Sequence, residues 1–175
     1  NNEYPFPLKV GNYWKFRRRY DVEPEKLDGM PMLDGSERLY EVTSVDLLGA
    51  MRVVRLDRSL NDSELHKDKL VWLVTPRQIV ACDRNCRRTL TNLNATLDYI
   101  ALTEPLFRFP LEMTGDGRVV AELTSLEMPA GEFRSVVQLK NGGVVSSFSV
   151  GRGVVQRSYE ERGFPVVEEL VDFRL

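Results

Sequence analysis

EVTSVDLLGAMRVVRLD, residues Glu41 to Asp57, returns in paraphrase as ELTSLEMPAGEFRSVVQLK, residues Glu122 to Lys140. Each phrase holds two runs in which apolar and polar residues alternate, broken by a turn at Leu48-Gly49-Ala50 in the first and Ala130-Gly131 in the second. Alternation of period two puts successive side chains on opposite faces of a strand, and glycine supplies the positive φ a tight turn needs, so each phrase reads as an antiparallel hairpin. The echo extends beyond these phrases and keeps its order. Phe6-Pro7-Leu8 is answered by Phe109-Pro110-Leu111, Val53-Val54-x-Leu56 by Val136-Val137-x-Leu139, and Pro76-Arg77-Gln78-Ile79-Val80 by Gly151-Arg152-Gly153-Val154-Val155. The offset shrinks along the chain, which places an insertion near residues 21 to 37 and a longer polar connection near 61 to 68 in the first copy. The expected organisation is one domain, 1–175, built from pseudo-repeats of about 4–88 and 106–175 joined by a connection at 89–105. A lone meander leaves an apolar face and two edges open, and a second copy covers that face or extends that edge.

The other segments agree with this reading. In NYWKFRRRY, Trp14, Phe16, Arg18 and Tyr20 share one strand face, leaving Tyr13, Lys15, Arg17 and Arg19 on the other. KLVWLVT, QIVACD, GVVSSFSV, GVVQRSYEE and PVVEELVDF read as further strands. Trp72 in KLVWLVT has apolar neighbours on both faces, as at the seam between two packed halves. In the connection, Leu90, Leu93, Leu97 and Ile100 have helical spacing, but Thr89, Thr91, Asn92, Asn94 and Thr96 are poor helix formers, so only partial helix is expected there. The predicted fold class is all-β: two similar antiparallel β-meanders forming one curved sheet, sandwich or open half-barrel, with little helix.

Composition narrows the functional classes. With 42% hydrophobic and 29% charged residues, the chain has the make-up of a folded globular protein. Its 24 basic and 26 acidic residues leave a net charge of -2, so no global positive field exists to hold a phosphate backbone, and no nucleic-acid partner is expected. No run approaches the roughly 18 apolar residues of a transmembrane segment. The chain opens on Asn1 with no initiator Met and no signal peptide, so Asn1 reads as an expression or processing boundary, which leaves room for a removed export signal or lipid anchor and does not argue for the cytoplasm. Cys82 and Cys86 flank a polar Asp83-Arg84-Asn85 turn, a spacing that suits either a hairpin-tip disulfide or two free thiols. No second cysteine pair exists and the sole histidine, His66, lies in another segment, so neither metal nor cofactor is expected.

No residue set dictates a reaction, and no catalytic residue is assigned. Gly151-Arg152-Gly153 is followed by a strand and not by the helix of a phosphate loop. Glu160-Glu161 and Glu168-Glu169 are neighbours whose side chains point to opposite faces, and they read as solvated strand edges. His66 belongs to a wet, charged connection without a nucleophile motif. Arg18 carries more information, because a guanidinium among aromatics either reaches solvent at the sheet rim or points into a cavity. In a curled sheet, Trp14, Phe16, Arg18 and Tyr20 would form a ligand wall for an acidic amphiphile. The candidate partner-binding residues are Tyr13, Lys15, Arg17 and Arg19, together with the terminal VVEELVDFRL read as an exposed edge.

Tyr4-Pro5-Phe6-Pro7-Leu8-Lys9-Val10-Gly11-Asn12-Tyr13-Trp14-Lys15-Phe16 resembles the Y-x-P-L-x-x-G-x-x-W-x-Y opening of a loosely defined group of exported bacterial β-proteins and lipoproteins. It departs from that pattern by an insertion at Phe6-Pro7 and by Phe16 in place of the last Tyr. Ala130-Gly131-Glu132-Phe133, Val137-Gln138-Leu139, Gly151-Arg152-Gly153-Val154-Val155 and Glu169-Leu170-Val171 are similar to the group's later motifs. The resemblance implies an all-β domain exported from a bacterial cell, periplasmic, anchored to the outer membrane or secreted, and it carries no catalytic residue. The function expected is a non-catalytic binding or assembly module with an unknown envelope protein as partner. A carrier of a hydrophobic or amphiphilic ligand such as a lipid is the first alternative. A glycan-processing enzyme with two convergent carboxylates is the second.

Overall fold

The computed structural model describes residues 7–23, 35–61, 63–108 and 118–175. The first meander comprises β1 (Tyr13–Tyr20), β2 (Glu37–Leu48), β3 (Met51–Leu60), β4 (Ser63–Val74), β5 (Gln78–Ala81) and, after the helices α1 (Arg84–Arg87) and α2 (Leu93–Leu102), β6 (Phe107–Arg108). The second comprises β7 (Arg118–Met128), β8 (Gly131–Asn141), β9 (Val144–Ser149), β10 (Gly153–Glu161) and β11 (Phe164–Arg174). All pairings are antiparallel, and the spatial order is β6-β5-β4-β3-β2-β1-β11-β10-β9-β8-β7. The chain meanders outward from β1 to one edge, crosses to the opposite edge, and meanders back until β11 lies beside β1. The two echoed phrases form the hairpins β2–β3 and β7–β8, the first inside the sheet beside β1 and the second at the end of the strand order. The Phe6 and Phe109-Pro110-Leu111 part of the echo, and most of the insertion near 21 to 37, lie outside the described residues.

The sheet curls. Phe107 on β6 meets Phe148 on β9 edge-on with ring centroids 4.9 Å apart, although several strands separate them in the sheet. At the other end, the Ala130 amide in the β7–β8 turn donates to the Leu170 carbonyl on β11 (3.1 Å), and Phe133 packs on Phe173. Among the described residues no pairing joins β6 to β7, so the result is one open, curved sheet and not two stacked ones. Trp14, Phe16, Tyr40, Leu56, Trp72, Phe148 and Leu170 belong to one core cluster with residues from both meanders.

A second cluster explains Trp72. Val71, Leu73, Met51, Val53 and Val80 pack with Ile100, Cys82 and Cys86. Strand β4 is thus buried on both faces, as its apolar run suggests, because the segment 82–102 covers the other face. The seam between the halves is β1–β11, and Trp72 does not lie on it. The helical connection is more regular than its composition predicts, since its polar residues make specific bonds. Asn92 caps α2 by accepting from the Ala95 amide, and the buried Thr96 hydroxyl reaches the Thr89 and Asn92 carbonyls at 2.8 and 2.9 Å. Leu93 and Leu97 face outward, and Ile100 alone of the four spaced residues is buried. Cys82 and Cys86 form a disulfide, with Cα atoms 5.2 Å apart, across the single turn of α1 and not at a hairpin tip. Within the polar stretch 61–68, residues 63–68 are also strand. Residues 65–68 are exposed, so no apolar alternation marks them, and the strand there is held by ladder bonds and by pairs such as Arg58–Asp68 and Lys67–Asp57.

Candidate functional site

Alternation along β1 turns Trp14, Phe16, Arg18 and Tyr20 toward the interior, and all four are buried. In an antiparallel pair, directly opposed residues share a face. Register therefore carries Arg18 to Glu168 on β11, Glu168 to Arg157 on β10, Arg157 to Ser146 on β9, and Ser146 to Leu139 on β8. This row of five residues crosses the seam and forms part of the wall of a cavity of about 640 Å³. Its apolar side is supplied by Leu106, Phe107, Leu139, Val144 and Phe148.

At the cavity's polar end, Arg18 is 3% exposed and Glu168 is 1% exposed. Charges this deep require partners. Arg18 Nη2 lies 2.6 Å from Glu161 Oε2, and its Nε lies 3.2 Å from Glu168 Oε1. Its Nε and Nη2 also donate to the Tyr159 hydroxyl at 3.1 and 2.9 Å. The Tyr159 hydroxyl in turn donates to Glu168 Oε1 at 2.9 Å, and Arg38 Nη1 donates to the same oxygen at 3.3 Å. Burial first, and then the negative charge of Glu168, push the Tyr159 phenol up to about 12. The folded pKa thus exceeds the unfolded value near 10, and the folded state holds the proton longer. Stability from this contact is complete below about pH 10 and is lost as pH rises toward 12. An alkaline absorbance titration should show one late tyrosinate step that Tyr159→Phe removes. Loss of a step near pH 10, with the late step retained, would contradict this assignment.

The four predicted ligand residues share a face but do not form one wall. Arg18 alone lines the large cavity. Trp14 and Phe16 border a small void of about 20 Å³ with Tyr40, Trp72, Val154 and Arg157, with room for a water at most. Trp14 Nε1 donates to the Arg152 carbonyl at 2.8 Å, tying the opening motif to the glycine-flanked turn. Tyr20 packs edge-on against Phe164. On the opposite face of β1 the predicted basic surface is neutralised. Lys15 and Arg17 both pair with Glu37, at 2.8 and 3.0 Å, Arg19 pairs with Glu169 and Asp21, and the Tyr13 hydroxyl donates to Asp172. Lys15 first and then Arg17 hold the Glu37 carboxyl below its ordinary value.

Two readings of the C-terminal segment are corrected. VVEELVDFRL is no free edge, because β11 is a central strand paired on both sides. Glu168 and Glu161 are not solvated edge residues but cavity-lining ones, brought together by the β10–β11 hairpin. Glu168 stands at period two between the buried Val166 and Leu170, and that alternation was the signal in the sequence for its inward direction. Tyr159, Arg38 and Arg157 join the site through pairings between distant segments. His66 is exposed on β4. Among the described residues no group of three or more His, Cys, Asp or Glu side chains could hold a metal ion, and no helix is long and apolar enough to cross a membrane.

Two carboxylates on one cavity are what glycosidic chemistry requires. Here a guanidinium contacts both, and one oxygen of Glu168 is already engaged by Arg18, Arg38 and Tyr159.

No family model matches this chain, and no curated protein matches it. Among solved structures, one provisionally described as a lipoprotein from Parabacteroides distasonis is similar with a TM-score of 0.57 and 11% identity, over 98% of this chain and 99% of that one. Another, provisionally described as an exported protein with a YmcC-like fold from Bacteroides fragilis, has a TM-score of 0.56 and 9% identity over 97% and 98% of the two chains. At these identities the likeness is one of fold, and it extends over nearly the whole chain.

Proposed function

We propose that this protein is an exported module of the bacterial envelope that holds a small amphiphilic ligand in the cavity of its curved sheet, acting by binding and not by catalysis. The observation that carries the reading is the cavity itself. Its volume of about 640 Å³ lies in the range of small-molecule sites, and it joins an apolar wall to a polar end. Export draws support from the descriptions of the two similar structures, from the resemblance of the sequence motifs, and from the disulfide, a bond favoured in oxidising compartments. Recruitment of a protein through Tyr13, Lys15, Arg17 and Arg19 has less support, since those cations are paired within the chain. A glycan-processing role is weaker than binding, because the interactions of Glu161 and Glu168 bind them into a structural network.

The test is native mass spectrometry on protein recovered from a bacterial envelope, compared with the same sample denatured. The expected result is an adduct that is lost on denaturation and reduced in Leu139→Trp, which fills the cavity wall. A clean ligand-free mass, persisting after incubation with envelope lipid extract, would overturn the proposal and direct attention to protein partners.

A further inference from the structure

Among the described residues, five cationic side chains and three carboxylates line the cavity, an excess there of two positive charges in a chain whose net charge is -2. The excess is not shared evenly. Arg18 is saturated by Glu161 and Glu168, Arg38 leans on Glu168, and Arg108 lies 3.9 Å from Glu104. Lys140 stands exposed at the rim. Arg157 is different. It is partly buried on β10, directly across from Glu168 in the ladder, yet it makes no ion pair or hydrogen bond through its side chain among the described residues. It also borders both the large cavity and the small aromatic void, so an apolar surface adjoins it.

Partial burial of a guanidinium without an anion is unfavourable, and a neighbouring carboxylate that is already occupied does not relieve it. A ligand anion would. We infer that Arg157 is the anion-recognising residue of the cavity, and that its ligand is a single-chain amphiphile with one terminal carboxylate or phosphate seated at Arg157 and its apolar chain against Phe107, Phe148 and Leu139. The inference rests on the cavity-binding reading and adds a polarity to it. Arg18, buried closer to the seam, has a structural role: with Arg38 it balances the charges of Glu168 and Glu161, and it leaves the ligand's charge to its neighbour on β10. The guanidinium fork suits either anion, since both offer two oxygens to parallel N–H groups.

The experiment is calorimetric titration of the wild type, Arg157→Gln, Arg157→Lys and, as a surface control, Arg134→Gln, with decanoate, decyl phosphate, decanol and decyltrimethylammonium as probes. Arg134 is exposed and lies outside the cavity lining. A charge-assisted hydrogen bond at this position corresponds to a loss of about 10- to 100-fold in affinity for the anionic probes in Arg157→Gln. Decanol binding is expected to be unchanged, Arg157→Lys to recover part of the loss, and the thermal midpoint to stay at the wild-type value because no internal pair is broken. The tighter of decanoate and decyl phosphate then identifies the anion as carboxylate or phosphate. If Arg157→Gln weakens all four probes equally, or none of them, the assignment of Arg157 is wrong while the cavity reading stands. If no probe of any charge binds the wild type, the cavity reading itself fails.

Discussion

Glu168→Ala is expected to destabilise the protein by about 3–5 kcal/mol, the cost of removing one member of a buried ion-pair network and leaving its two arginines one carboxylate short. Arg18 would keep Glu161 but lose its contact with a carboxylate that is 1% exposed, and Arg38 and the Tyr159 hydroxyl would lose their shared acceptor. For a chain of this size, 1 kcal/mol corresponds to about 2–4 °C, so the thermal midpoint should fall by roughly 6–20 °C. Glu168→Gln keeps an acceptor for Tyr159 and Arg38 and should lose markedly less. Arg18→Met combined with Glu168→Ala should be milder than the sum of the two single changes, since the second removal leaves no orphaned charge at that position. Urea and thermal unfolding of the four proteins give the answer. A loss below about 1 kcal/mol in Glu168→Ala would mean that water from the cavity replaces the carboxylate.

Phe148→Ala should cost a similar amount, about 3–5 kcal/mol, for a different reason. Phe148 is 1% exposed, and it packs edge-on against Phe107, whose strand among the described residues is tied to the sheet by two register pairs with β5. Losing that ring removes core area and also the contact by which the β6 edge closes over β9. Amide exchange should therefore accelerate first at Leu106, whose N–H donates to the Ile79 carbonyl, before global unfolding is reached. Leu65→Ala, at a residue 92% exposed, is the comparison, with an expected change within about 0.5 kcal/mol. Equal destabilisation by the two variants would contradict the place of Phe148 in the core.

Both effects lie where tertiary pairing and local pattern meet. The inward face of β1 was legible because Trp14, Phe16, Arg18 and Tyr20 alternate with polar residues. The strands of the second meander were legible for the same reason, and so were the turns around Gly49 and Gly163, where positive φ is required. The helix α2 was half-legible. Its propensities are poor, and its stability comes from an asparagine cap, the Thr96 hydroxyl bonds and the packing of Ile100. Strand β4 extends beyond the apolar run KLVWLVT because residues 65–68 of its first half are exposed and have no buried face to impose a period.

The cavity was less accessible to such reading. Arg18 declared itself as a charge among aromatics, whereas Glu161 and Glu168 looked like members of two acidic pairs at strand ends. Their role depends on register: β11 returns to pair with β1 only after the chain has crossed from one edge of the sheet to the other. The β class, the face each side chain takes along a strand, and the positions of the tight turns follow from the order of neighbouring residues, because backbone geometry links them locally. Only the pairing of distant strands made β1 and β11 central, brought Arg18 to Glu168 and Glu161, and left Arg157 without an anionic partner among the described residues, beside an apolar wall. Strand order and register are set by burial summed over the whole sheet, and no local window of residues contains that sum.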